Sequence, residues 1–164
     1  MSALPPLPAP APSDLPTPAS GRFVAGTHYY PLRIFFEDTD TGGVVYHANY
    51  LRYMERARSD MLRLVGIDQR GALDGGEGVY AVARAAIDYR RPARLDDDLM
   101  VVSRVANVSG ATVTIAQNIL RGDDLITSGE VIVAFLSPQG RPKRQPKPWV
   151  ALFTRIAQGE DLNP

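Results

Sequence analysis

The chain of 164 residues contains no cysteine and no excess of either charge. Without cysteine it has no disulfide, no thiolate metal ligand and no cysteine nucleophile. Lysine plus arginine and aspartate plus glutamate both total 18, so the chain lacks the basic excess of a typical nucleic-acid-binding domain. No apolar run approaches the roughly 18 residues that a membrane-spanning helix needs. The composition therefore indicates a globular domain without nucleic acid or a membrane span, compatible with the cytoplasm.

The N-terminal segment is predicted to lie outside the folded domain. Seven of the 14 prolines precede Gly21, and each proline fixes φ and removes a backbone N–H that a helix or sheet would use. The segment lacks the basic start and unbroken apolar stretch of a signal peptide. We predict a disordered tail over residues 1–26 and a folded domain over residues 27–137. Residues 138–164 are predicted to form a basic, proline-rich loop followed by a short helix.

One long helix and five strands are predicted. From Ala48, apolar residues recur at helical spacing over about 17 residues, roughly 25 Å of helix, with Asn49 as N-cap and Gly66 just past the end. Runs rich in β-branched and aromatic residues occur at 28–36, 79–89, 99–108, 112–120 and 125–135. This order predicts an α+β fold, an antiparallel sheet with the helix on one face. The uncovered side of such a sheet predicts oligomerisation.

The loop EDTDTGG, residues 37–43, has some features of a calcium site. Counted from Asp38, such a loop would place ligands at Asp38 and Asp40 and a glycine at Gly43. The fifth position is Gly42 and the twelfth is Asn49, so the third ligand and the bidentate glutamate are both missing. We therefore predict no metal here.

Two other interpretations of the loop remain. It can be a plain turn, in which Asp38 and Thr39 bond to nearby backbone N–H groups. Alternatively, it delivers an aspartate to the start of the long helix, where unpaired N–H groups and the helix dipole stabilise a developing oxyanion. An aspartate of the loop would then act as base or nucleophile on a polarised carbonyl. His47 either takes part in this chemistry or merely caps the helix and packs against Tyr46.

A longer stretch around this loop, EDTDTGGVVYHANYLRYMERAR, resembles the hotdog-fold acyl-CoA thioesterases of the 4-hydroxybenzoyl-CoA thioesterase superfamily. It is most similar to the branch associated with the Tol–Pal system, and AIDYRRPARLDDDL, residues 86–99, resembles a second block of that branch. The likeness covers about residues 29–136. It implies a hotdog fold, with a five-stranded antiparallel sheet wrapped around one long central helix. It also implies a dimer or tetramer that hydrolyses acyl-CoA without a cofactor or a metal.

The resemblance carries roles to individual residues. Asp40 matches the catalytic aspartate, and His47 matches the position whose backbone N–H faces the thioester carbonyl. Histidine stands at this position in the Tol–Pal branch, which favours a role for the side chain as well. Tyr46 and Asn49 are expected to contact the substrate. Glu55 is the second-choice acid, since some hotdog thioesterases use a glutamate on this helix; otherwise it is a solvated partner of a neighbouring arginine.

The substrate and partners follow from the same resemblance. The phosphates of coenzyme A predict a basic rim, for which Arg90, Arg91 and Arg94 are candidates unless they form a solvated turn. The basic run at residues 141–147 is a candidate contact for coenzyme A, an acyl carrier protein or anionic lipid at the inner face of the membrane. Two alternative functions stay open: a non-catalytic hotdog protein that binds acyl-CoA or acyl carrier protein, and a hydratase or dehydratase using His47 with Asp40.

Overall fold

The computed structural model describes residues 17–164, in which an antiparallel sheet curls around a long helix. The elements are β1 (Arg22–Val24), β2 (Thr27–Arg33), α1 (His47–Leu64), α2 (Gln69–Asp74), β3 (Val79–Tyr89), β4 (Asp98–Val108), β5 (Thr112–Arg121), β6 (Asp124–Leu136) and α3 (Lys147–Ala157). The strand order is β1-β2-β4-β5-β6-β3. The predicted α+β hotdog fold is confirmed, with one more strand than expected. In this part of the chain no helix is long and apolar enough to cross a membrane.

Alternating side chains decide which face of the sheet meets α1. In β5 the buried side chains are Val113, Ile115, Gln117 and Ile119, and Thr112 and Asn118 lie on the opposite face, as the period of two predicts. The neighbouring strand β4 follows the same rule. The concave face therefore supplies a mainly apolar surface for the helix.

Met54 of α1 packs directly on the sheet at Gly129. A Cβ atom on Gly129 of β6 would lie 3.1 Å from the Met54 Cε atom and 2.9 Å from the Ala86 carbonyl oxygen of β3, so a larger residue would displace the Met54 side chain and crowd the neighbouring strand. Beside this contact, the Gln117 side-chain amide donates a 3.0 Å hydrogen bond to the Met54 carbonyl oxygen. Met54 is fully buried, and such burial contributes about 1.5–3 kcal/mol of stability.

The predicted N-terminal tail extends too far. Residues Arg22–Val24 form β1, which pairs antiparallel with β2, and the Phe23 amide donates a 2.7 Å hydrogen bond to the Asn163 side chain. No proline occurs between Pro18 and Pro31, so the backbone N–H groups of this stretch can pair. The folded part thus begins before Thr27, and residues 1–16 lie outside the described residues.

The basic segment before α3 is fastened to the sheet. Gln145 is buried, and its side-chain amide donates a 2.7 Å hydrogen bond to the Ser109 carbonyl oxygen. The Tyr80 hydroxyl donates to the Gln145 side-chain oxygen at 2.5 Å. The short helix predicted after this segment is present as α3, whose Phe153 and Ile156 join the core. The segment is therefore a packed loop of the same domain.

A buried histidine joins β2 to α1. His28 is fully buried, and its Nε2 atom lies 2.9 Å from Asp60 Oδ2. Burial lowers the pKa of His28, and the hydrogen bond to Asp60 opposes this only in part. His28 is therefore neutral near pH 7 and donates its Nε2 hydrogen to the carboxylate. The same carboxylate accepts hydrogen bonds from the Ser20 hydroxyl and the Gly21 amide.

This arrangement makes stability depend on pH. Because the pKa of His28 is lower in the folded than in the unfolded protein, the unfolded chain binds more protons below its ordinary value of 6.5. We expect the free energy of unfolding to fall as the pH drops below 6.5, by at most about 1.4 kcal/mol per pH unit, and to level off below the folded pKa. Urea unfolding across this range measures the slope.

Two variants isolate the residue responsible. His28→Gln removes the buried titrating ring and should flatten the slope, whatever its effect on absolute stability. His47→Gln removes the other, exposed histidine and should keep the wild-type slope. An unchanged slope in His28→Gln would show that another group causes the pH dependence.

Candidate active site

Asp40 sits at the tip of a tight turn between β2 and α1. Its backbone N–H donates to the Val44 carbonyl oxygen at 2.9 Å, and its own carbonyl oxygen accepts from the Gly43 amide at 3.0 Å. Gly43 has a φ of +69°, a conformation that glycine adopts without steric cost. The Gly42 amide donates to Asp40 Oδ1 at 2.8 Å. The turn thus holds an exposed carboxylate in a defined position.

Asp38 connects the loop to the start of α1 through hydrogen bonds. It is buried, and its Oδ2 atom accepts a 2.8 Å hydrogen bond from the Phe35 amide. Its carbonyl oxygen accepts from the Tyr46 amide and from the Asn49 side chain, both at 2.9 Å. Burial raises the pKa of the nearby Tyr53 hydroxyl, and the Asp38 carboxylate raises it further. Asp38 therefore fixes the position of the loop relative to the start of α1.

The connection between β3 and β4 braces the other side of the loop. The Val45 amide donates to the Ala93 carbonyl oxygen at 2.9 Å, and the Ala93 amide donates to the Tyr50 hydroxyl at 3.1 Å. A guanidinium N–H of Arg94 reaches the Gly43 carbonyl oxygen at 3.4 Å. The loop is thus held by a segment about fifty residues away in the sequence. The spacing of residues within either segment does not predict these contacts.

The predicted N-cap of α1 is wrong by three residues. The helix begins at His47, Tyr46 occupies the cap position, and no side chain caps it. Asn49 lies inside the first turn, where its side chain donates a hydrogen bond to the Asp38 carbonyl oxygen. Among residues 17–164, the backbone N–H groups of His47 and Ala48 have no hydrogen-bond acceptor. Free N–H groups at this end of a helix, where its dipole is positive, favour a negatively charged ligand.

The carboxylate and the helix start share one open cleft of about 680 Å³. Its walls include Phe36, Asp40, Tyr46, Ala48, Asn49 and Arg52. The cleft combines an acid, free backbone donors and a cation, and the 82% exposed Phe36 gives it an apolar edge. Two cleft residues, Arg52 and Phe36, were not predicted as site residues, and Phe36 had been placed at the end of the predicted strand 28–36.

His47, the predicted catalytic partner of Asp40, is not among the walls of the cleft that Asp40 lines. The His47 ring packs against the rings of Tyr46 and Tyr89, with centroid distances of 4.4 and 6.4 Å, and it is not among the walls of the Asp40 cleft. The Tyr89 hydroxyl donates to the His47 carbonyl oxygen at 3.1 Å. The His47 side chain thus packs on aromatic rings outside the walls of this cleft, and the roles of its side chain and of its backbone amide stay predictions.

The three candidate arginines have different partners in the structure. Arg90 lies 3.6 Å from Asp88, and Arg91 lies 2.5 Å from Asp124, so both already have acidic partners. Only Arg94 contacts the Asp40 loop. Exposed ion pairs of this kind are weak, so Arg90 and Arg91 can still exchange partners.

Glu55, the second-choice acid, lies away from the Asp40 cleft. Its Oε1 atom accepts a 2.5 Å hydrogen bond from the Ser59 hydroxyl. Within residues 17–164 it forms no ion pair with a neighbouring arginine, which was the alternative expected from helical spacing. Glu55 lines a second cavity on the same helix.

Known proteins with similar sequences are thioesterases. The thioesterase superfamily model matches residues 42–128. An acyl-CoA thioesterase, YbgC, of Haemophilus influenzae is 40% identical over 128 residues, which cover 77% of this chain and 94% of that protein. The acyl-CoA thioester hydrolase YbgC of Escherichia coli O6:H1 is 37% identical over 126 residues, 76% of this chain and 93% of the relative.

A solved structure shows the same architecture. A protein described as a probable thioesterase from Bartonella henselae superposes with a TM-score of 0.70 at 33% identity. The match covers 73% of this chain and 99% of the other. The fold and the family match define a hotdog-fold thioesterase. The chain belongs to the thioesterase superfamily, as its resemblance to that family predicted.

Proposed function

We propose that this protein hydrolyses the thioester of acyl-CoA to a free acid and coenzyme A. The observation that carries the proposal is the shared cleft, which is lined both by the exposed Asp40 and by residues of the first turn of α1. The thioesterase relatives support the same conclusion. The acyl carbonyl oxygen would accept hydrogen bonds from the amides of His47 and Ala48, which strengthen as negative charge develops on that oxygen.

Two routes fit the position of Asp40. In one, its carboxylate attacks the thioester carbon, expels the coenzyme A thiolate and leaves a mixed anhydride that water then hydrolyses. In the other, the carboxylate takes a proton from a water molecule, which attacks the same carbon and displaces the thiolate. Both routes yield one acid and one thiol for each water consumed.

Other polar groups would bind the rest of the substrate. We assign Tyr46 and Asn49 to the walls around the acyl carbonyl because both line the cleft. Arg94 beside the loop, and Arg52 within the cleft, are the cations best placed for the phosphates of coenzyme A. Arg90 and Arg91 would join them only by leaving Asp88 and Asp124.

Replacing Asp40 tests the proposal. Asp40→Asn keeps the size of the side chain but removes the charge needed for either route, so acyl-CoA hydrolysis should fall on the order of 100-fold or more. Free-thiol release from a panel of short, long and aromatic acyl-CoAs measures the rate. Circular dichroism should report an intact fold, because Asp40 is exposed.

The matched control is Asp123→Asn, at the exposed tip of the β5–β6 hairpin, which should hydrolyse at the wild-type rate. Wild-type activity in Asp40→Asn would remove Asp40 from the mechanism. Acyl-CoA binding without turnover at any chain length would favour the non-catalytic alternative. Hydration of enoyl-CoA would favour a hydratase.

We also propose that the protein is a homo-oligomer, built from a dimer that forms a tetramer. Strand β3 is the long edge of the sheet and pairs only with β6. Five consecutive residues of this strand, 82–86, are exposed, and Val82 is 55% exposed. A long exposed edge strand is a template for pairing with another chain. A second copy paired along β3 would extend the sheet across a two-fold axis.

A proline in the edge strand tests this assembly. Ala83 lies at the irregularity in the pairing of β3 with β6, where proline is tolerated within a sheet. Ala83→Pro should block pairing along the edge and reduce the mass measured by light scattering from four chains in the wild type to two or fewer. A wild-type mass of one chain would refute the proposed oligomer, and an unchanged oligomer in a folded Ala83→Pro would refute the β3 interface.

The proposal extends to the location of the protein in the cell. We propose that the enzyme works in the cytoplasm in association with the Tol–Pal system. The exposed basic residues of segment 141–147, including Arg141 and Arg144, would contact an acyl carrier protein or the anionic inner face of the membrane. The anchored Gln145 holds this segment on the domain, so its charges are presented at a fixed place.

A further inference from the structure

A second cavity lies between the C-terminal half of α1 and the sheet. It has a volume of about 110 Å³. Its walls are mainly apolar and include Leu62, Tyr80, Val113, Ile115, Val133 and Phe153. The proposed chemistry at Asp40 makes no use of it. An apolar cavity with a few polar groups at its edge is the usual form of a small-molecule site.

Arg58 supplies the cationic group of this cavity. Its Nη1 atom donates a 2.7 Å hydrogen bond to the Gln117 side-chain oxygen. Gln117 is fully buried, and its amide nitrogen donates to the Met54 carbonyl oxygen and to the Ser103 hydroxyl, at 3.0 and 2.9 Å. The Gln117 oxygen is thus fixed in direction, and it fixes the guanidinium beside the apolar walls.

The charge of Arg58 is poorly compensated. Burial lowers the pKa of its guanidinium, and the nearby Glu55 opposes this only in part, although an arginine remains protonated at any physiological pH. Arg58 forms no ion pair within the described chain. The Glu55 carboxylate, which lines the same cavity, accepts its hydrogen bond from Ser59 and not from Arg58. A half-buried cation with unused N–H donors stabilises an anion that enters the cavity.

The cavity and the Asp40 cleft lie along one face of α1. Ala48 and Arg52 line the cleft, while Glu55, Ser59 and Leu62 line the cavity. These residues are spaced three or four apart, so they follow one another on one helical face. From His47 to Arg58 the helix rises about 16 Å, and a helical side chain leans back by about one turn of 5 Å. A substrate would therefore bridge roughly 10 Å between the helix start and the guanidinium.

We propose that Arg58 binds the carboxylate at the far end of the acyl group, so that the preferred substrates are coenzyme A thioesters of dicarboxylic acids. This inference rests on the proposed function. The thioester carbonyl would lie at the start of α1, the methylene chain would follow the helix, and the distal carboxylate would enter the cavity. The apolar walls would exclude water from the ion pair, which strengthens it.

The experiment compares acyl-CoAs that differ only at their far end. Hexanoyl-, octanoyl- and decanoyl-CoA are each paired with the ω-carboxyl compound of the same length, adipoyl-, suberoyl- and sebacoyl-CoA. In the wild type, kcat/KM should favour the carboxyl-ended member of at least one pair by about tenfold or more, the size expected of a charged hydrogen bond. Arg58→Met should abolish that preference while the methyl-ended substrates are hydrolysed as before.

Two further variants serve as a control and as an alternative to Arg58→Met. Arg56→Met removes an exposed arginine two positions away and should keep the wild-type preference. Arg58→Gln retains a polar side chain that can bond to Gln117 and should lose the preference too, which keeps the test available if Arg58→Met does not fold.

The outcomes separate the two proposals. A wild type that prefers the methyl-ended member of every pair, or an Arg58→Met variant with an unchanged ratio, would overturn the inference while leaving the thioesterase function intact. If no acyl-CoA were hydrolysed, the proposed function would fail, and calorimetric titration with free suberate and octanoate would decide the inference. Suberate binding that is lost in Arg58→Met would support the site, and equal binding of both acids would refute it.

Discussion

The close approach of α1 to the sheet at Met54 is the constraint on which the rest of the structure depends. Gly129 leaves room for the Met54 side chain, and Gln117 bonds to the Met54 carbonyl oxygen. Together these contacts fix the height and rotation of the helix. A side chain at position 129 would crowd the Ala86 carbonyl oxygen and displace the end of Met54, and a closely packed core has little room to absorb that shift. Both ends of α1, and therefore both cavities along it, take their positions from this contact.

The fixed helix makes the loop before it chemically useful. Asp38 bonds to the first turn of α1 and to Phe35, which leaves the neighbouring Asp40 turn little freedom. A carboxylate and free N–H groups are consequently held in one cleft before any substrate arrives. Such preorganisation lowers the barrier because no groups need to be reordered as charge develops. The two aspartates thus divide the work, one positioning the loop and the other facing the cleft.

Local patterns in the sequence predicted the helix and the five main strands, because burial imposes a period on each element. The loop before the helix indicated a catalytic aspartate, and the resemblance to the thioesterase family singled out Asp40. The sequence did not indicate β1, the anchoring of Gln145 or the different surroundings of Arg90 and Arg94. Each of these depends on a hydrogen bond or ion pair between residues distant in the chain, which periodicity does not encode. Asn49 was assigned to the helix cap by residue type, whereas its partner is a carbonyl oxygen eleven residues earlier.

The most direct test of the account is the infrared frequency of the thioester carbonyl bound to Asp40→Asn, which should hold substrate without consuming it. If the amides of His47 and Ala48 polarise the carbonyl, isotope-edited spectra of a carbonyl-labelled acyl-CoA will show its stretch shifted below the frequency of the free compound in water. A bound carbonyl with the frequency of the free compound would contradict the account, because the start of α1 would then not be the oxyanion site.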